Sequence, residues 1–312
     1  MRDRRYLWAL FGFLVALWAA QAVAEETPAA KATEKEAKEA KKDVFLRVLR
    51  DDRKDPIALQ TSIVRYVSAG DKNEGVTVDL IGAVHVGDKK YYDELNQAFT
   101  QYEALLYELV APEGTKIPKG GVREGGVNPV SGMQRGMQSM LELEFQLDCV
   151  DYTPKNFIHA DMSPEEFAQS MKDKNESMLG ILFRMMGQSA KVQGKGGTSD
   201  AEMLFAMFSK DRAHRLKQAM ASQFENLDGQ MAVLEGKDGS TIITERNKKA
   251  LQVLQREIDA GKKKVGIFYG AGHLPDMHKR LVEDFGLKKE SERWLTAWTM
   301  EKPAKNKKQA EK

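Results

Sequence analysis

Two segments of the chain share one pattern: an apolar run of strand length that closes on glycine and, three residues later, on histidine. The first is VTVDLIGAVHVGD, Val76–Asp88, and the second is VGIFYGAGH, Val265–His273. Val76–Val84 reads as a strand. Asp88 then caps a predicted helix over Lys89–Gln101, with apolar residues at Tyr91, Tyr92, Leu95, Ala98 and Phe99. Ala104–Val110 is a further strand, ended by Pro112. The second unit repeats the order. Lys264–Tyr269 is a strand, Pro275 opens a helix over Asp276–Phe285, Gly286 ends it, and Trp294–Met300 is a final strand. Upstream, Phe45–Leu49 and Ala58–Val67 are strand-like. Alternating strands and helices predict an α/β fold: a central mixed, largely parallel sheet built from two similar β-α units with a helical insert between them.

The insert, about residues 130–260, has its own character. Ala111–Asn128 before it is a Gly/Pro-rich loop and Met133–Leu147 has helical periodicity. Asn156–Ala160 has the length of a short strand. Ser163-Pro-Glu-Glu opens a helix with a cap, a proline and an acidic first turn. Helices are expected over 176–187, 200–226 and 241–260, with a loop over Gln188–Ser199. Twelve of the fifteen methionines fall between Met133 and Met231. They are either ordinary core filler or the lining of an adaptable apolar groove or lid.

The ends of the chain differ from its centre. Basic Met1–Arg5 precedes an apolar run of 15 residues, Tyr6–Ala20, and then small residues at Ala22 and Ala24. This layout predicts a signal peptide over 1–24 and an exported, periplasmic or secreted, protein. The run is short of the roughly 20 residues a membrane span needs. The other reading is an uncleaved N-terminal anchor, the one membrane contact expected. Glu25–Lys42 is an Ala/Lys/Glu linker with no apolar stripe, and 301–312 is a Lys-rich tail. The folded unit expected is 43–300.

Charge narrows the partners little. The chain carries +2, and loss of residues 1–24 takes it to about zero. No basic face points to nucleic acid, and no glycine-rich loop has the strand and helix that cradle phosphates. Cys149 is the only cysteine and lies in the apolar stretch EFQLDCV. It reads as a buried structural thiol rather than a nucleophile.

The candidate chemistry lies at the two strand ends. In open α/β sheets ligands gather at the carboxyl ends of the strands. His85 and His273 are placed there, with glycines that leave room beside the ring. One Gly-x-x-His is a weak signal; two at equivalent strand ends are a stronger one. Two imidazoles joined by a carboxylate can hold a divalent metal, and Glu108 in YELV is the carboxylate in position. Arg246, in Thr244-Glu245-Arg246-Asn247, is either a clamp for a carboxylate or oxyanion, or half of a helix-surface pair. His159, with Asp161 nearby, is open to a site role. His278 is expected one layer out or in solvent, and His214 at the surface.

Gly82-x-x-His85, Glu108, Glu245-Arg246-Asn247 and Gly270-x-x-His273, in this order, resemble the TraB/PrgY/GumN/Tiki family, within the wider grouping of erythromycin-esterase-like and ChaN-like proteins. The resemblance covers roughly Ile57–Met300. It implies that His85, His273 and Glu108 are the site triad and Arg246 the accompanying arginine. Tiki proteins are metal-dependent proteases, erythromycin esterases are hydrolases in which a histidine activates water, and ChaN binds haem iron. The expectation drawn is a metal-dependent hydrolase acting on a peptide or protein. His85, His273 and Glu108 would hold Mn²⁺, Co²⁺ or Zn²⁺, Arg246 would steady an oxyanion, and Glu245 would shuttle protons. Helix neighbours point about 100° apart, so Glu245 and Arg246 cannot face the site equally. Two alternatives stay open: a binding protein for haem, metal or peptide that turns nothing over, and a metal-free hydrolase with histidine as general base.

Overall fold

The computed structural model describes residues 44–70, 73–120, 140–177, 180–181, 206, 208–209, 211–224 and 239–301. The expected signal peptide, the linker and all but the first residue of the tail lie outside these residues, as do eight of the twelve methionines between Met133 and Met231 and the loop 188–199. Among the described residues no helix is long and apolar enough to cross a membrane.

The expected α/β architecture is present. β1 (Leu46–Arg50), β2 (Pro56–Ser68) and β3 (Thr77–Ala83) open the sheet. β4 (Val86–Gly87) leads into α1 (Lys89–Phe99), and β5 (Ala104–Tyr107) follows. Then come β6 (Glu144–Phe145), α2 (Gln146–Cys149), β7 (Phe157–His159), α3 (Pro164–Asp173) and α4 (Arg212–Phe224). The last third holds a π-helical turn (Thr241–Glu245), α5 (Arg246–Asp259), β8 (Lys264–Gly270), a 3-10 turn (Ala271–His273), α6 (Leu274–Glu283) and β9 (Leu287–Thr299).

One long sheet forms the centre. β2 pairs along one edge with antiparallel β9. Along its other edge it pairs first with β1 and then with β3, both antiparallel. β3, β8, β5 and β7 then run parallel side by side. The residues alternate between two cores, as a sheet covered on both faces requires. Val78 and Leu80 of β3, Leu106 of β5 and Val265 and Ile267 of β8 pack with Leu251 and Leu254 of α5 and Met277 and Leu281 of α6. Ile81, Leu105 and Phe268 point the other way, onto Tyr91, Tyr92, Leu95 and Phe99 of α1 and Leu216 of α4. Full burial of each large apolar side chain contributes on the order of 1.5–3 kcal/mol, so two-sided packing pins the strands that carry the site.

The two β-α units are neighbours in space as well as in pattern. β3 and β8 pair in parallel, with Gly82 opposite Tyr269 and Ala83 opposite Gly270. The motif histidines therefore leave the sheet side by side. Beyond them the units differ: the first continues as β4 before its helix, whereas the second turns at once into the 3-10 turn and α6. Pro275 lies in the first turn of α6 and Gly286, at φ +67°, follows its end, as the sequence predicts.

Three local expectations need correction. Helical periodicity runs through Leu147, but Glu144 and Phe145 are extended and pair with Gly87 and Val86. The Gln146 N–H also donates to the His85 carbonyl at 2.9 Å, so strand pairing beside the first motif wins over local propensity. The expected helix residues Met133–Ser139 lie outside the described set. Asp88 precedes α1 but makes no side-chain cap. Its carboxylate accepts from Lys217 Nζ at 2.9 Å and the Thr299 N–H at 2.6 Å, tying α4 and β9 to this corner. The last strand begins at Leu287, seven residues before the expected start. Lys288–Arg293 is exposed, so no apolar alternation marks it and only its backbone pairing with β2 does.

Candidate functional site

Four parallel strands deliver their carboxyl ends to one place, and a helix start closes it. His85 follows β3 and His273 follows β8. Glu108 is the first residue past β5, its N–H still donating to the Phe268 carbonyl at 3.2 Å. Asp161 lies two residues past β7. Arg246 and Asn247 open α5 directly after the π-helical turn. Single π turns change the phase of a helix and recur at functional sites. Here both residues are buried, and both reach the strand ends.

Arg246 joins two carboxylates. Its Nε donates to Asp161 Oδ1 at 2.9 Å, and Nη2 donates to Asp161 Oδ2 at 2.6 Å and Glu108 Oε1 at 2.7 Å. The Asp161 side chain is 0% exposed and that of Arg246 8%. Burial works against the arginine's charge, but Asp161 and Glu108 outweigh it and hold the guanidinium charged. Glu108 is fixed from a second side: the Gly270 N–H donates to Oε2 at 2.7 Å. Burial alone would raise the Glu108 pKa. Arg246, the two histidines and the Gly270 N–H more than reverse it, so the carboxyl stays ionised. The glycine has a steric reason as well. A Cβ at position 270 would lie 3.3 Å from Glu108 Oε2 and 3.7 Å from His273 Cδ2.

The histidines are neutral near pH 7. Burial pushes His273 down to about 4, against the pull of Glu108. Burial also lowers His85, which is half-buried and lies where the Gln146 side chain acts on its ring. Gln146 in turn donates to Tyr152 Oη at 2.9 Å. His273 Nε2 stands 3.6 Å from Glu108 Oε1. Its other ring nitrogen, Nδ1, is 2.7 Å from Asn247 Oδ1.

Not every candidate from the sequence joins this cluster. Glu245 Oε1 pairs with Lys174 at 3.2 Å and Lys248 at 3.0 Å. The 100° step along the helix gives the site to Arg246 and turns Glu245 to the lysines. His278 Nδ1 bonds with Tyr66 Oη at 2.7 Å, on the α6 face of the sheet. His159 is the last residue of β7, beside β5, but its Nε2 is 2.6 Å from the Leu109 carbonyl oxygen. Cys149 is half-buried at the end of α2, its thiol pushed up to about 11 by burial and by Glu144. Asp161 and Asn247 are the site residues without a role in the sequence reading. Asp161 is noted there only beside His159, and Asn247 only as the last residue of the Glu245-Arg246-Asn247 motif.

The donor set suits a divalent cation in chemistry. Glu108, Asp161 and Arg246 leave one net negative charge beside two neutral imidazoles. His273 Nε2 and Glu108 Oε1, 3.6 Å apart, are a nitrogen and an oxygen donor of the kinds such cations take. Among the described residues no three His, Cys, Asp or Glu side chains converge as a finished metal site. His273 and Glu108 thus fit as a donor pair, and His85 leaves the adjacent strand end beside His273. No family model, curated protein or solved structure matches this chain.

Proposed function

We propose that the chain is an exported hydrolase whose site takes a divalent cation, Mn²⁺, Co²⁺ or Zn²⁺, through His273, Glu108 and His85. The observation that carries the reading is the pairing of His273 Nε2 with Glu108 Oε1 at 3.6 Å, an imidazole facing an ionised carboxylate inside a buried cluster. Such a cation, when bound, supplies a water of lowered pKa and polarises a carbonyl. The chain's own residues do the rest. Arg246 and the Gly270 N–H hold Glu108 ionised and in place, and Asp161 holds Arg246. Arg246 is therefore a positioning residue for Glu108 before it is a clamp for an oxyanion. Peptide or protein as substrate rests on the resemblance to the Tiki-containing family, not on the cluster itself.

The pKa of His273 weighs against the metal-free alternative. A general base works best with a pKa near the working pH, whereas His273 is pushed down to about 4 by burial. The same shift suits a ligand, which must be unprotonated.

Elemental mass spectrometry of the purified protein tests the reading, alongside a His85→Ala/His273→Ala double variant checked for folding. About one metal per chain, lost in the double variant, is the expected result. No metal in either protein after loading with Mn²⁺, Co²⁺ and Zn²⁺ would sink it. A Soret band on haem titration, or hydrolysis unaffected by exhaustive chelation, would then identify which alternative holds.

A further inference from the structure

Asn247 has three polar contacts, and together they permit only one orientation of its amide. Nδ2 donates to the His273 carbonyl at 3.0 Å and to Asp276 Oδ2 at 2.8 Å. A carbonyl and a carboxylate oxygen accept hydrogen bonds and offer no proton, so a flipped amide would set oxygen against two oxygens. Oδ1 is thereby left facing His273 Nδ1, at 2.7 Å. An amide oxygen can only accept, so Nδ1 must carry the hydrogen. Asp276 is held in turn by Arg280, whose Nε donates to the same Oδ2 at 2.8 Å. Asn247 is 0% exposed, so water does not compete for these bonds.

We infer that Asn247, fixed by Asp276, sets the tautomer of His273: hydrogen on Nδ1, lone pair on Nε2, directed at Glu108. Asn247 is a positioning residue that acts through His273. In water a neutral histidine side chain favours the opposite form, with hydrogen on Nε2, which would turn a donor rather than a lone pair toward Glu108. Partners of this kind on the far nitrogen are what set ring orientation and basicity in metal-binding histidines. The inference rests on the proposed reading of His273 as a donor to the site. The tautomer itself is measurable with neither cation nor substrate present.

Long-range ¹H–¹⁵N correlation spectra of the full chain labelled at histidine, recorded near pH 7.5 without metal, test it. The His273 signals are identified by their loss in His273→Gln. The expected pattern is a protonated Nδ1 and an unprotonated Nε2 in the wild type. In Asn247→Leu the pattern moves to the Nε2–H form or to an average. A wild-type His273 with hydrogen on Nε2 would overturn the inference, and that measurement needs no variant to fold. So would an unchanged pattern in a folded Asn247→Leu protein. Zn²⁺ affinity is expected to fall about 10–100-fold in Asn247→Leu. If no Zn²⁺ binds the wild type while the tautomer is as stated, the metal reading fails and the role of Asn247 stands.

Discussion

Glu108 Oε1 and His273 Nε2 stand 3.6 Å apart, although 164 positions of sequence separate the two residues. Each is held by its own support. Arg246 and the Gly270 N–H fix the carboxylate, and Asn247 fixes the imidazole. Strands β5 and β8 are adjacent and parallel, so the pair follows from the sheet order, and the supports come from one helix start and one strand end.

Asp161 anchors this arrangement. It is buried, it takes two bonds from Arg246, and its Oδ1 also accepts the Met162 N–H at 2.8 Å. Asp161→Ala would leave a buried guanidinium with one partner fewer, at a cost of about 3–5 kcal/mol in stability. Urea unfolding measures it. A loss below about 1 kcal/mol would mean that Arg246 does not depend on Asp161.

Stability falls with acid in two windows. His273 is pushed down to about 4 by burial, from an ordinary 6.5. Between these values the unfolded chain binds the extra proton, so stability rises with pH there and is lost as pH falls from about 6.5 to about 4. The shift corresponds to about 3 kcal/mol. Glu108 is shifted below its ordinary 4.5, so its contribution is full above that value and is lost on further acidification. Urea midpoints in chelator should drop between pH 7 and 4.5, with a shallower slope in a folded His273→Gln variant. A flat profile in the wild type would contradict the burial of a neutral imidazole.

Gly270→Ala is expected to act through the site. Its φ of −50° suits any residue, so backbone strain is absent. The new methyl would lie 3.3 Å from Glu108 Oε2. Overpacking of this kind costs about 1–3 kcal/mol. The carboxylate must give way, and Co²⁺ titration should report affinity at least about tenfold weaker. Unchanged affinity would show that the glycine is not what leaves room for Glu108.

Two variants serve as contrasts. Glu245→Gln alters a pair with Lys174 and Lys248, and partly exposed pairs are worth about 0–1 kcal/mol. His278→Gln loses the bond to Tyr66 on the α6 face. Metal occupancy should remain at the wild-type level in both. A loss in Glu245→Gln would return that residue to the site.

The strand-end positions of His85, Glu108 and His273 are legible in the sequence because they rest on local physics. A buried parallel strand reads as an apolar run, a helix announces its start with proline, and glycine marks the turn between them. The same logic gives β1, β2, β7, α3 and α6. Local pattern fails where backbone pairing alone makes the structure. The polar half of β9, Lys288–Arg293, buries no side chain, and Glu144–Phe145 are extended only because Val86–Gly87 lie beside them. Of the supports of the site, the sequence reading names Arg246 alone; Asp161 and Asn247 lie beyond it for a related reason. Nothing in Thr244-Glu245-Arg246-Asn247 says which neighbours turn inward; the π-helical turn and the packing of α5 decide that Arg246 and Asn247 do and that Glu245 does not. Asp161 needs a partner 85 positions away. Periodicity determines which residues reach the strand ends. Contact between them is set by the order of strands in the sheet, a property of long-range pairing that local sequence does not carry.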